Sequence, residues 1–310
     1  MTTPLISVLM ITYNHEKYIA QAIEGVLDQR GDFRLELVIG NDVSKDATDA
    51  ICRKYAAADP RVRYFLQEKN LGPNRNFLRC YSLCTGDYIA LCEGDDEWID
   101  ENKLAKQLAA FREPDVVMSF TDVKVRDFKT DTVLDSYYEG DPPRPYFSQY
   151  DVFERFKVPT CTVLFRNILG PLPDWFVETH ASAYFLFYLL SLKGRIKYQP
   201  FASGMYNRHY NGLSYSTNFI NMLYVDGLML DKLRYANPND KKYLHLIRFI
   251  QLRNIDHLFH AGAFRKSISL FWKVFRGPAE AIGSGWRVAR IFLKIHFLPF
   301  LSKRRIENYY

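Results

Sequence analysis

Gly86-Asp87-Tyr88-Ile89-Ala90-Leu91-Cys92-Glu93-Gly94-Asp95-Asp96-Glu97-Trp98 is the stretch on which the reading of this chain turns. Tyr88 to Cys92 predicts a buried strand, and it runs straight into Glu93, Asp95, Asp96 and Glu97. Carboxylates packed this closely repel one another, and a divalent cation is the usual way to offset that repulsion. Hard oxygen ligands at the carboxyl end of an α/β strand suit Mg²⁺ or Mn²⁺ holding a phosphate-bearing substrate. The competing reading is a solvated acidic turn that caps the following helix. The flanking sequence has to choose between them.

Upstream, Leu5 to Ile11 is a continuous apolar run, the mark of a strand buried on both faces, and Thr12-Tyr13-Asn14 ends it. Tyr18 to Gln29 has helical periodicity. Leu35 to Ile39 predicts a second buried strand that closes on Gly40-Asn41-Asp42. Ser44 to Thr48 is turn and cap chemistry before a helix over 47–58, and Val62 to Leu66 predicts a third strand. A loop at Asn70-Leu71-Gly72-Pro73-Asn74 leads to a helix from Arg75 to Cys84, and Asp100 is placed to cap a helix from Glu101 to Phe111. Strand–helix alternation at this spacing predicts a parallel sheet with right-handed crossovers, whose ligand crevice lies at the carboxyl ends of the strands. Thr12-Tyr13-Asn14, Asp42 and the acidic cluster all fall at such ends.

Taken in order, Ile6 to Asn14, Asn41 to Asp46, Asn70-Leu71-Gly72 with Arg75-Asn76, Gly86 to Ala90, and Glu93-Gly94-Asp95-Asp96 resemble family 2 glycosyltransferases. The likeness covers roughly residues 4 to 112. It implies an α/β, GT-A nucleotide-diphospho-sugar transferase fold, Rossmann-like with a mostly parallel sheet. It implies that Thr12, Tyr13 and Asp42 hold the nucleobase, with Asn14 beside them, and that Arg75 approaches the base or the phosphates. Glu93-Gly94-Asp95 stands where the family usually has Asp-x-Asp, so Glu93 faces the ribose or a metal-bound water and Asp95 ligates Mn²⁺ or Mg²⁺. For Asp42 a turn-capping role, for Tyr13 a surface aromatic and for Arg75 a helix-surface cation remain the alternatives. Asp96 and Glu97 are expected at the N-terminus of the next helix.

The later part of the chain is less regular. Val116 to Phe120 and Val123 to Asp127 predict two strands, Pro159 to Arg166 a short one, and Tyr184 to Leu192 a helix that stops at Lys193-Gly194. In the family an aspartate opens that helix and acts as general base on the acceptor hydroxyl. The resemblance puts that role on Ala183, which cannot perform it. An inactivating substitution, a base supplied by Glu178 or His180, and a natural non-catalytic sugar-nucleotide-binding protein are the three readings this leaves. Tyr206 to Ser214 resembles the segment that follows the acceptor helix, which would make His209 a metal or diphosphate ligand with Arg208 beside it.

The remaining 216–310 are expected to form a helical extension to a 1–215 GT-A domain, itself divided into a donor half (1–112) and an acceptor half (113–215). From Phe264 to Arg305 ten lysines and arginines oppose a single Glu280 and alternate with Phe271, Trp272, Phe275, Trp286 and other apolar residues. That composition suits a helix in a membrane interface, with an ordinary packed helix as the alternative. The charge is local and no nucleic-acid motif accompanies it, so no nucleic-acid partner is expected. At 310 residues, 48% hydrophobic and a net charge of +6, the chain fits one large domain with an appendage. No leader pattern opens it and no apolar run reaches a membrane span, while five scattered cysteines fit a reducing cytosol. The expected protein is an inverting, metal-dependent enzyme of the bacterial glycan-assembly type. It would move a sugar from a UDP-type donor to a glycan or lipid-linked acceptor, in the cytoplasm at the inner face of the membrane.

Overall fold

The structure, a computed structural model, describes residues 3–152, 157–179, 182–209, 219–233 and 239–275. The described residues fall into two compact units: those within Met1–Val177 and Ser182–Tyr215, and those within Glu178–Ala181 and Ser216–Tyr310.

The first unit is built on one mixed sheet. Its strands are β1 (Leu5–Thr12), β2 (Arg34–Asn41), β3 (Val62–Leu66), β4 (Tyr88–Leu91), β5 (Glu97–Trp98), β6 (Val116–Asp127), β7 (Thr132–Leu134), β8 (Tyr146–Phe147), β9 (Leu164–Arg166) and β10 (Arg195–Arg208). Along the sheet they run β3-β2-β1-β4-β9-β6-β10-β5, with β7 on β6 and β8 on β10. β1 pairs in parallel with β2 and β4, and β2 with β3. Ile6, Val8, Met10, Leu37, Ile39 and Ala90 are fully buried, as strands covered on both faces require. Helices α1 (Ile19–Leu27), α2 (Thr48–Ala58) and α3 (Pro73–Tyr81) make the crossovers, so the first ninety residues follow the expected alternation.

Beyond β4 the sheet departs from the sequence reading. β9 inserts antiparallel between β4 and β6. The two strands expected over 116–127 are one continuous strand, because Thr121 is fully buried and its hydroxyl pairs with that of Ser203 instead of turning the chain. The expected strand over 159–166 is a 3-10 turn, Thr160–Thr162, that leads into β9. Glu97 does not cap a helix but enters β5, which pairs antiparallel with Gly204 and Met205 of β10. Helix α4 starts only at Lys103 and runs to Leu108, followed by a 3-10 turn over Ala109–Arg112. β10 runs for 14 residues. It crosses Pro200 through a shift of register between Gln199 and Ala202, where the proline cannot donate to the ladder. Helix α5 (Ser182–Ser191) ends before Gly194, and that glycine is required by packing and not as a helix stop. A Cβ there would lie 2.3 Å from the Asp115 carbonyl oxygen.

The second unit contains α6 (Phe219–Leu233), α7 (Lys241–His260) and α8 (Phe264–Phe275), joined by a core of Leu223, Ile255, Leu258, Phe259, Leu270, Phe271 and Val274. Phe271, counted on the lipid side by the interfacial reading, is therefore an interior residue, whereas Trp272 is exposed. The basic and aromatic residues from Arg276 onward lie outside the described residues, as do His180 and 210–218. Among the described residues, no helix is long and apolar enough to cross a membrane.

Candidate active site

Three strand ends meet at one rim. The Asp42 N–H donates to the Thr12 carbonyl (3.0 Å), and the Gly94 N–H donates to the Ile11 carbonyl (3.0 Å), so the ends of β1, β2 and β4 are tied by backbone. Gly94 is the one residue type that fits between them, since a Cβ would sit 2.8 Å from Thr12 Oγ1 and 2.9 Å from Ile19 Cδ1. Two residues just past the strands, Asn14 (φ 58°) and Val43 (φ 61°), adopt left-handed backbone. For β-branched Val43 this is a true outlier, of the kind that persists where surroundings over-determine it. Those surroundings are visible. The Asn14 N–H donates to Ser44 Oγ (2.9 Å), the Lys45 N–H donates to Asn14 Oδ1 (2.8 Å), and Asn41 Oδ1 accepts from both the N–H and the hydroxyl of Ser44.

Asp42 is buried, and its two carboxylate oxygens accept the Leu71 N–H (2.6 Å) and the Gly72 N–H (2.9 Å). The turn-capping alternative for Asp42 is thus realised: the side chain fastens the Asn70-Leu71-Gly72 loop to the rim. Each oxygen keeps a further lone pair. Tyr13 is 40% exposed and Arg75 is exposed on α3, while Asn76 is buried and donates to the Gly40 carbonyl (2.8 Å).

The acidic cluster divides by environment. Asp95 Oδ2 lies 2.8 Å from His209 Nε2 and 3.7 Å from His15 Nε2. Burial alone would raise its pKa, but the His209 hydrogen bond and the neighbouring His15 outweigh it, so Asp95 titrates below the usual carboxylate range. Conversely the Asp95 hydrogen bond raises His209, and burial lowers His15. Glu93 is pushed up to about 7, by desolvation first and then by the Asp95 charge, with a Thr160 hydrogen bond acting the other way. Its Oε2 is buried without a hydrogen-bond partner among the described residues. Asp96 is raised by burial and by Asp95 and Glu93, and it accepts the Asn207 N–H (3.2 Å), so it serves the sheet rather than a helix cap. Asn207 also donates its amide to the Asp95 carbonyl (2.8 Å), and Tyr18 stacks on His209 at 5.3 Å. Arg208 is 3.5 Å from Asp127 Oδ2.

Among the described residues, no three His, Cys, Asp or Glu side chains are grouped to hold a metal unaided. The donors present still fit a hard cation whose remaining positions are filled by phosphate oxygens and water. Asp95 offers a carboxylate oxygen with the His209 ring beside it, while burial and the Asp95 charge raise the pKa of Glu93, whose Oε2 has no hydrogen-bond partner. The structure brings together Asp95 and His209, both named from the sequence, with His15, Asn207 and Tyr18, which were not and for which the only signal was the position of His15 directly after the strand-ending Asn14. Ala183 lies in the first turn of α5, and Glu178 is exposed at the end of the 3-10 turn Asp174–Glu178.

Residues 7–170 match the model of the family described as Glycosyl transferase family 2. The chain belongs to that family. An uncharacterized protein of Mycobacterium tuberculosis is 33% identical over 222 residues, which cover 68% of this chain and 60% of that protein. The chain thus spans about 60% of the length of the curated relatives that match it over most of its length. The crystal structure of Staphylococcus aureus TarS residues 1–349 with UDP-GlcNAc superposes with a TM-score of 0.67 at 16% identity, over 94% of this chain and 90% of that one. The mannosyltransferase PcManGT from Pyrobaculum calidifontis, in complex with GDP-Man and Mn²⁺, superposes with a TM-score of 0.56 at 15% identity, over 94% and 81%. At these identities the solved structures establish the fold of a family 2 chain, here the GT-A arrangement.

Proposed function

We propose that this family 2 chain transfers a sugar from a nucleoside diphosphate donor, UDP-linked, to an acceptor hydroxyl on a glycan or a lipid-linked saccharide, with inversion at the anomeric carbon. The observation that carries this reading is the pairing of Asp95 with His209 beside the unpartnered Glu93 Oε2, at the rim where β1, β2 and β4 end. The UDP-GlcNAc in the TarS crystals supports a UDP donor, and the Mn²⁺ in the PcManGT complex supports a divalent cation. Mn²⁺ or Mg²⁺, when bound, supplies the charge that stabilises the departing diphosphate. Asp95 and His209 hold that end of the donor. Thr12, Tyr13, Asn14 and Asp42 line the side where the base and ribose lie, with Arg75 and Arg208 as its flanking cations. The 1–215 domain does this work, and the helical remainder seats the protein peripherally on the cytoplasmic face of a membrane.

Ala183 occupies the position from which the family's general base acts. Either another group, Glu178 or His180, takes the proton from the acceptor hydroxyl, or the chain binds a sugar nucleotide without turning it over. Titration calorimetry with UDP, with and without Mn²⁺, separates these when paired with a UDP-sugar hydrolysis assay on the unaltered chain, Asp95→Ala and Ala183→Asp. Mn²⁺-dependent binding that Asp95→Ala abolishes, with turnover gained in Ala183→Asp, is the result expected of a transferase lacking its base. Turnover in the unaltered chain moves the base elsewhere. Absence of any Mn²⁺-dependent nucleotide binding overturns the reading.

A further inference from the structure

His209 lies one residue past β10, which ends at Arg208, and its N–H turns back to the Asn207 carbonyl (3.1 Å). The strand ladder therefore does not set the ring. Nor does a rotamer well, because the outer torsion of a histidine is broad and roughly two-fold. Contacts from distant parts of the chain remain. Tyr18, the residue before α1, lays its ring on the His209 imidazole, with 5.3 Å between centroids and 16° between planes. Phe128 and Tyr18 meet edge to face at 5.8 Å, and the Phe128 N–H donates to the Arg208 carbonyl (3.2 Å), which ties this brace to the same strand end. His15 meets the imidazole edge-on at 6.3 Å. In that setting Nε2 faces Asp95 Oδ2 at 2.8 Å.

We propose that Tyr18 is a positioning residue of the donor site, whose stacked ring holds the His209 imidazole in the plane that presents Nε2 to Asp95. Tyr18 acts on the carboxylate through His209. An orienting bond that is already formed costs no further ordering when a cation and a diphosphate arrive. An aromatic pair of this geometry shifts an equilibrium by about two- to tenfold, less than the loss of His209 itself. The proposal rests on the glycosyl-transfer reading for its binding measurement alone.

Two measurements on the full chain test it. In the ligand-free chain labelled with ¹⁵N-histidine, the Nε2 proton of His209 is assigned by its loss in His209→Ala. Its exchange with water should quicken by about threefold or more in Tyr18→Ala and stay as it is in Tyr18→Phe, which keeps the ring. In calorimetry with UDP and Mn²⁺, affinity should fall by about two- to tenfold in Tyr18→Ala and hold in Tyr18→Phe. Added to His209→Ala, Tyr18→Ala should cost nothing further, whereas a general loss of packing would add in full. Absence of a protected Nε2 proton in the unaltered chain, unchanged exchange in Tyr18→Ala, equal loss in Tyr18→Phe, or additive losses would each overturn the proposal. If the unaltered chain binds no UDP with Mn²⁺, the donor reading fails, and the exchange measurement still decides the role of Tyr18.

Discussion

His209 Nε2 lies 2.8 Å from Asp95 Oδ2, a contact between residues 114 positions apart that joins the end of β10 to the loop after β4. The bond lowers Asp95, so the carboxylate is ionised and oriented before any ligand arrives. His209→Ala removes that orienting bond. Losing such a partner typically costs 10–100-fold in metal affinity, so Mn²⁺-dependent UDP binding should weaken by about that factor. Calorimetry at fixed UDP with Mn²⁺ varied measures it, and an unchanged Mn²⁺ dependence would remove His209 from the site.

Gly94 separates the two carboxylates Glu93 and Asp95. In Gly94→Ala the new methyl meets Thr12 Oγ1 at 2.8 Å and Ile19 Cδ1 at 2.9 Å, in a place where Thr12 and Ile19 are both buried. Overpacking of this kind costs about 1–3 kcal/mol, and relief by shifting the loop displaces both acids. Urea unfolding should show that loss together with weaker nucleotide binding. Full stability with full binding would show that the rim is softer than its packing implies.

The first ninety residues were legible because their strands are buried on both faces and therefore read as unbroken apolar runs, Leu5 to Ile11 and Leu35 to Ile39 among them. The rest of the sheet was not. β5 is two residues long, and its place is set by pairing with Gly204 and Met205, more than a hundred residues downstream, which no local pattern encodes. For the same reason Asp96 read as a helix cap: its partner, the Asn207 N–H, comes from that distant strand. Asp95 and Glu93 stood out in the sequence because four acids at a strand end have few physical explanations. His15 was not, because a single histidine after a turn carries no periodicity, and only the return of β10 places His209 beside it.

Asp42 holds the Asn70-Leu71-Gly72 loop by accepting two backbone N–H groups. Asp42→Ala leaves both donors without their acceptor inside a half-buried loop, at about 1–3 kcal/mol for each that stays dry. Asp42→Asn keeps one carbonyl oxygen and should lose less. Hydrogen exchange at Leu71 and Gly72 is the direct readout, with protection lost in the alanine variant and partly kept in the asparagine variant. Native protection in both would make the loop self-supporting.

Lys103 is fully buried, with Nζ 4.0 Å from the centroid of the Trp98 ring and hydrogen-bonded to Gln107 Oε1 at 2.6 Å. Burial pushes its pKa down from 10.5 to about 7. An ammonium over an indole gains about 0.5–2 kcal/mol, so the ring offsets only part of the desolvation. Between those two values the unfolded chain binds the proton and the folded chain does not, so stability should rise as pH goes from 7 toward 10.5. Below pH 7 both states are protonated and the full burial penalty applies, while above 10.5 neither is and it vanishes. Lys103→Met should flatten that rise. At pH 7 it should stabilise the protein by about 1–3 kcal/mol, the lost penalty at 1.36 kcal/mol per pKa unit less the cost of orphaning Gln107 Oε1. Urea midpoints for both proteins at pH 7, 8.5 and 10 decide it: the unaltered protein should start below Lys103→Met and climb to or past it by pH 10, and parallel curves would mean that Lys103 keeps its proton throughout.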